Sequence, residues 1–166
     1  MSTPLLLIDE LCKLTTGATA ELVLEAKHGE SPRTLSVIPG FLDEDEPRPG
    51  RPPEDAVEKA VPFVIVRFVS GEDTEQAGTA TVRLIAVTYS KHGQGWRDPL
   101  NVLERIRQAI ITRRPLANRF DLQLPIKWDM PEEQPWPYWI AWMTTIWAIG
   151  RPTLTEMEGD IYHGES

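Results

Sequence analysis

The sequence predicts an α+β fold: a small, mainly antiparallel sheet of about four strands packed against two or more helices as a two-layer sandwich. Three observations carry that expectation. Apolar residues recur at helical spacing near the N-terminus and again after Asp98, later segments alternate or run apolar as strands do, and turn-forming residues separate them. A chain of 166 residues suits one domain, read here as residues 1–150, with an acidic tail at 151–166 expected to be flexible.

Ser2 or Thr3 before Pro4 marks a helix start, because a hydroxyl caps free amides and Pro is tolerated at the first helical position. The helix should run to about Thr16, with Leu7, Ile8, Leu11 and Leu14 on one stripe and Gly17 as its stop. Cys12 lies on it; one cysteine excludes an internal disulfide, and no base is nearby to activate the thiol, so packing is its expected role. Ala20 to Lys27 fits either helix or strand.

Leu35, Val37 and Pro39 suggest a brief extended segment before Gly40. Residues 41–60 then read as an exposed, acidic, proline-rich loop containing Asp43, Glu44, Asp45 and Glu46, with seven acids against three bases. Val61 to Val69 and Thr79 to Tyr89 read as strands of a hairpin joined by a polar turn at Gly71 to Gly78. Arg67 and Arg83 interrupt these otherwise apolar strands. On a half-exposed sheet they face water, and charge on a sheet face can also mark a subunit contact.

Asp98-Pro99 reads as an acidic N-cap followed by Pro at the first helical position, and Leu100, Leu103, Ile106 and Ile110 continue as one stripe. Arg113 and Arg114 close that helix favourably for its dipole. Between Ile106 and Lys127, Arg107, Arg113, Arg114, Arg119 and Lys127 face Asp121 alone, which makes this the basic patch of the chain. Phe120, Leu122 and Leu124 alternate with polar residues as a half-buried strand reaching towards Trp128. Tyr138 to Ile149 is apolar or Thr on both alternating faces, so it is expected to be covered on both sides by helices or another subunit.

Charge and motif content narrow the function classes. A net charge of −8 argues against nucleic acid as a specific partner, since phosphate neutralisation needs a clustered cationic surface. The longest uncharged stretch, Gln134 to Gly150, has 17 residues where a membrane helix wants ~20, and it carries two prolines, so no membrane association is expected. The opening residues lack a basic region ahead of an apolar run, which points to a protein kept in a cytoplasm.

His28, His92 and His163 have no partners at metal-ligand spacing, no Gly-x-Ser-x-Gly occurs, and Ser90-Lys91-His92 reads as a polar turn. Gly93-Gln94-Gly95 resembles the start of a dinucleotide-binding turn, but Asp98 occupies the third glycine position, where its carboxylate would repel a pyrophosphate. The expectation is therefore a non-enzyme without cofactor or metal. Five of six tryptophans fall between Trp128 and Trp147, a concentration that suits an interface as well as a core. Trp96, Trp136, Tyr138 and Trp139 are the candidate aromatic contacts.

Three segments together resemble the tail terminator, or tail completion, proteins of long-tailed bacteriophages and prophages. They are Val61-Pro62-Phe63-Val64-Ile65-Val66-Arg67, the stretch from Gln94-Gly95-Trp96-Arg97-Asp98-Pro99-Leu100-Asn101 into Glu104-Arg105-Ile106-Arg107, and Phe120-Asp121-Leu122-Gln123-Leu124-Pro125 leading to Pro131 through Trp139. The resemblance covers about Leu35 to Ile149 and implies a virion structural protein. Such a protein forms a ring, a hexamer in the virion, that caps the tail tube, stops its polymerisation and offers its other face to the head-side connector.

Its implied partners are copies of itself, the tail tube protein and the head-side connector or stopper. Its implied location is the head-proximal end of the tail, after assembly in the host bacterial cytoplasm. A closed ring needs two different patches that meet, and Arg113, Arg114 and Arg119 are expected to meet the Asp43 to Glu46 loop of the next subunit. A head-tail connector or stopper is the alternative, and a small-ligand or nucleotide-binding domain using the Gly93 to Asp98 turn is the minor one.

Overall fold

The computed structural model describes residues 2–43, 49 and 55–150. Helix α1 (Pro4–Ala18) starts as the sequence predicts: Thr3 is its N-cap, and the Thr3 hydroxyl accepts the Leu6 N–H at 3.2 Å. It continues past Gly17 to Ala18, where the Thr19 N–H and hydroxyl both bond the Thr15 carbonyl and close the last turn. Leu7, Leu11 and Leu14 are buried along one face. Cys12 is half-buried, and burial, then the Asp9 charge, push its thiol up, which disfavours the thiolate.

The ambiguous segment after α1 forms β1 (Val23–Leu24), which pairs antiparallel with β2 (Arg33–Thr34) in a two-stranded ladder. Strand β3 (Ser36–Pro39) follows. The expected loop at 41–60 ends in a short helix, α2 (Ala56–Ala60), whose first amides are capped by the Asp55 carboxylate. Arg33 ties this helix down, its guanidinium donating to the carbonyls of Lys59 and Val61 at 2.8 and 2.7 Å. Glu44, Asp45, Glu46 and the tail at 151–166 lie outside the described residues.

Strands β4 (Phe63–Asp73) and β5 (Gly78–Tyr89) form the expected hairpin, but its turn is only Thr74 to Ala77. Gly71 and Glu72 are part of the ladder, paired with Ala80 and Thr79, so half of the polar segment predicted as a turn is strand. Helix α3 (Arg97–Thr112) begins one residue before the predicted cap. Trp96 occupies the N-cap without a side-chain bond, and Asp98 lies inside the first turn. Backbone carbonyls replace the expected carboxylate cap: Arg97 N–H bonds Gln94 and Asp98 N–H bonds Gly95, each at 3.1 Å. Burial, then Glu25, raises the Asp98 carboxyl pKa.

Strands β6 (Asp121–Asp129) and β7 (Tyr138–Ala148) complete the main sheet, whose order is β3-β4-β5-β7-β6. It has five strands where about four were expected. The added one is the extended segment around Val37, which pairs parallel with β4, while the other pairs are antiparallel. Helices α1 and α3 cover one face, where Leu7, Leu11, Val102 and Ile106 meet Val64, Val82, Leu84, Met143 and Trp147 in one buried cluster. A smaller cluster of Val61, Phe63, Ile65, Val87 and Tyr89 lies beneath Leu42 and Val57 on the opposite face.

Of the covers expected for the last strand, helices or another subunit, its own helices supply one face only. Ala141, Met143, Thr145 and Trp147 are buried under the helices, whereas Trp142 and Thr144 are half-buried and Ile146 is exposed. Helix α2 is too short to extend across the sheet, so among the described residues only the end near Phe63 and Tyr89 is shielded on that side.

Candidate functional site

The sheet register builds the candidate surface. Arg67 on β4 stands opposite Arg83 on β5, Arg83 opposite Thr144 on β7, and Thr144 opposite Lys127 on β6. Residues in one cross-strand row share a face, and this row lies on the face that α1 and α3 leave uncovered. With neighbouring strands ~4.8 Å apart, the row spans about 14 Å from Arg67 to Lys127.

Both arginines are held in place. Arg67 Nε donates to the Gly40 carbonyl at 3.0 Å, and its guanidinium lies 4.2 Å from the Phe41 ring centroid. Arg83 Nε reaches the Thr144 hydroxyl at 3.4 Å and lies 5.7 Å from the Trp142 ring. Such contacts position a cation without neutralising it. No carboxylate among the described residues forms an ion pair with Arg67, Arg83 or Lys127. Like charges directly opposite on adjacent strands oppose sheet stability, so an isolated subunit gains nothing electrostatically from this pair. Phe41 and Ile146, both exposed, give the row an apolar border.

The remaining predicted residues fall at several places. Arg114 is engaged within its own chain: its guanidinium donates to Asp121 at 3.2 Å and to the Leu122 carbonyl at 2.9 Å, tying the end of α3 to the start of β6. Arg113 and Arg119 are exposed on the same connection. Asp43 is exposed at the β3 edge, in a depression shared with Arg33, Ser36 and Lys59. Asp43 and the basic residues Arg113 and Arg119 therefore lie towards opposite edges of the sheet, β3 and β6.

The aromatic candidates separate by burial. Trp136 is 60% exposed in the link before β7, whereas Trp139 is half-buried and donates its indole N–H to the Ser90 carbonyl at 3.0 Å. Tyr138 packs edge-on against Tyr89 with ring centroids 5.8 Å apart; burial, then Glu58 and Asp55, raises its phenol pKa. Trp96 is partly exposed beneath the Arg97 guanidinium. Sequence reading missed Lys127, Trp142 and Phe41 as members of the arginine surface. The alternation of β6 and β7 held the signal for the first two, but it needed the inter-strand register.

One hollow of about 360 Å³ opens between α3 and β6, lined by Leu100, Leu103, Glu104, Arg107, Trp128 and Met143. Arg107 grips Glu104 through two hydrogen bonds of 2.9 and 2.7 Å and lies over the Trp128 ring at 5.3 Å. Among the described residues, no group of three or more His, Cys, Asp or Glu side chains is placed to hold a metal ion, and no helix is long and apolar enough to cross a membrane.

The Gly93 to Asp98 turn is occupied by protein. A Cβ on Gly95 would collide with the Trp139 indole and stand 2.7 Å from the Ser90 Cβ, so glycine is required there by packing against β7. Comparison of the chain with known protein families finds no match, and comparison with curated proteins finds none either.

Proposed function

We propose that this chain is a virion assembly protein of a long-tailed bacteriophage or prophage, a tail terminator that caps the growing tube as a hexameric ring. In this role it is not an enzyme; its mechanism resides in surfaces. It stops tube polymerisation with one face and offers the other to the head-side connector, after assembly in the bacterial cytoplasm. The observation that carries the reading is the placement of Asp43 towards the β3 edge and of Arg113 and Arg119 towards the β6 edge, with an aromatic and cationic face that α1 and α3 leave uncovered between them. Patches that differ and point apart suit head-to-tail association, which closes into a ring when the rotation per subunit divides a full turn.

Further support comes from where the resembling segments fall. The first is the buried half of β4, the second is the entrance and first turns of α3, and the third is β6 with its link into β7. The first and third belong to the sheet that carries the uncovered face, and the second belongs to the helix packed on its other side.

Deletion of the gene in a host producing the particles, followed by electron microscopy, tests the proposal. Overlong tubes without heads are the expected result. Tails of normal length that fail to join heads would instead assign a connector or stopper role. Normal infectious particles would overturn the proposal, and a thermal shift with NAD or nucleoside triphosphates would then favour a ligand-binding domain.

A further inference from the structure

We propose that the Arg67–Arg83–Lys127 row on the uncovered sheet face is the receptor for the acidic β4–β5 hairpin tip of a second copy of this chain. The inference rests on the ring reading above and specifies one of its contacts.

The receptor is a cationic row whose members form no ion pair with a carboxylate among the described residues. Its arginines are already oriented by Gly40, Phe41, Thr144 and Trp142, so less side-chain freedom is lost when an anion docks. The occupant is read from charge. Glu72, Asp73 and Glu75 are exposed at the tip of the hairpin, and no Lys or Arg occurs from Phe68 to Val82. The tip is also free on one flank: β3 ends opposite Val66, so β4 from Phe68 to Asp73 has β5 as its only strand neighbour among the described residues.

The hairpin tip carries three exposed carboxylates and no cation, which matches the row of three cations in sign. Within one molecule the match is out of reach, because the tip and the row are carried by the same β4 and β5 strands several residues apart. Satisfying it requires a second copy, and because the two patches differ, each copy can offer its tip to one neighbour and its row to another, as a head-to-tail ring requires.

A photo-reactive amino acid placed at position 75 of the full-length chain tests this directly. Irradiation should yield a covalent dimer whose cross-link maps to β4, β5 or β7 around Arg67, Arg83 and Thr144 of the other copy. R67E/R83E should lower the dimer yield about tenfold or more. So should E72K/E75K in chains carrying the photo-reactive group at position 77, and these changes lie at exposed positions that leave the fold intact. R67E/R83E/E72K/E75K, with that same probe, should recover the yield, which a folding defect would not permit.

Absence of dimer up to about 1 mM protein, or cross-links elsewhere on the partner copy, would overturn the inference. The tail-length phenotype answers separately. Overlong tails with cross-links elsewhere leave the terminator reading standing, and the predicted cross-link with normal tails leaves only the contact.

Discussion

Thr145 illustrates how one polar side chain organises a buried layer. Its hydroxyl donates to the Val82 carbonyl at 2.9 Å and accepts the Trp147 indole N–H at 2.8 Å, and all three residues are fully buried. Thr145→Val keeps the shape but leaves a donor and an acceptor unsatisfied, so chemical denaturation should show a loss of about 2–3 kcal/mol. Gly95 makes a second residue-scale prediction. Gly95→Ala pushes a methyl into Trp139 and Ser90 and should cost about 1–3 kcal/mol, whereas Gly93→Ala, with open space around it, should be near neutral in the same titration. Equal effects would mean that the turn, not its packing on β7, sets the requirement.

At the scale of elements, α3 shows which signals survive folding. Its apolar stripe was legible because Leu103, Ile106 and Ile110 recur at helical spacing and are buried, whereas Leu100 of the same predicted stripe is half-buried and Val102, outside that stripe, is buried. Its start was misread because Asp98 looks like a cap, while the actual cap consists of carbonyls in the preceding turn, a backbone arrangement that side-chain identity does not encode. The hairpin turn was overestimated for a related reason. Gly71, Glu72 and Asp73 have turn-like composition, but pairing with β5 determines their conformation.

The α3 surface also yields a pH prediction. Hydrogen bonds from Arg107, then Gln108, hold the Glu104 carboxyl below its ordinary value of 4.5. A depressed folded pKa contributes stability that is present above the unfolded value and is lost as pH falls through the folded one. Glu104→Gln should therefore lower the thermal midpoint slightly near neutrality, with the difference from wild type vanishing in strong acid. The pair is exposed, so the shift is small.

For the whole molecule, the α+β class and the order of the larger elements were readable from period and punctuation. The sheet topology was not. A two-residue period does not specify which strand lies beside which, and β3 beside β4 in parallel depends on tertiary contacts. The same gap hid the candidate site: Arg67 and Arg83 were visible as interruptions in apolar strands, but Lys127, far away in sequence, joins them only through three inter-strand pairings. Arg114 shows the reverse, since composition placed it in a basic patch and folding gave it an internal ion pair.

The parallel pairing of β3 with β4 divides the fold into two interlocked polypeptide portions. Everything before Asp43 contributes α1, β1, β2 and β3, and everything after Asp55 contributes the remaining helices and strands. The first portion buries Leu7 and Leu11 against α3 and the sheet and lends the second its edge strand. Severing the backbone between Gly50 and Arg51 should therefore leave two pieces that co-elute as a folded heterodimer when co-expressed and aggregate when made alone. The protein is thus a natural candidate for fragment complementation, with reconstitution of the split sheet as its on-signal.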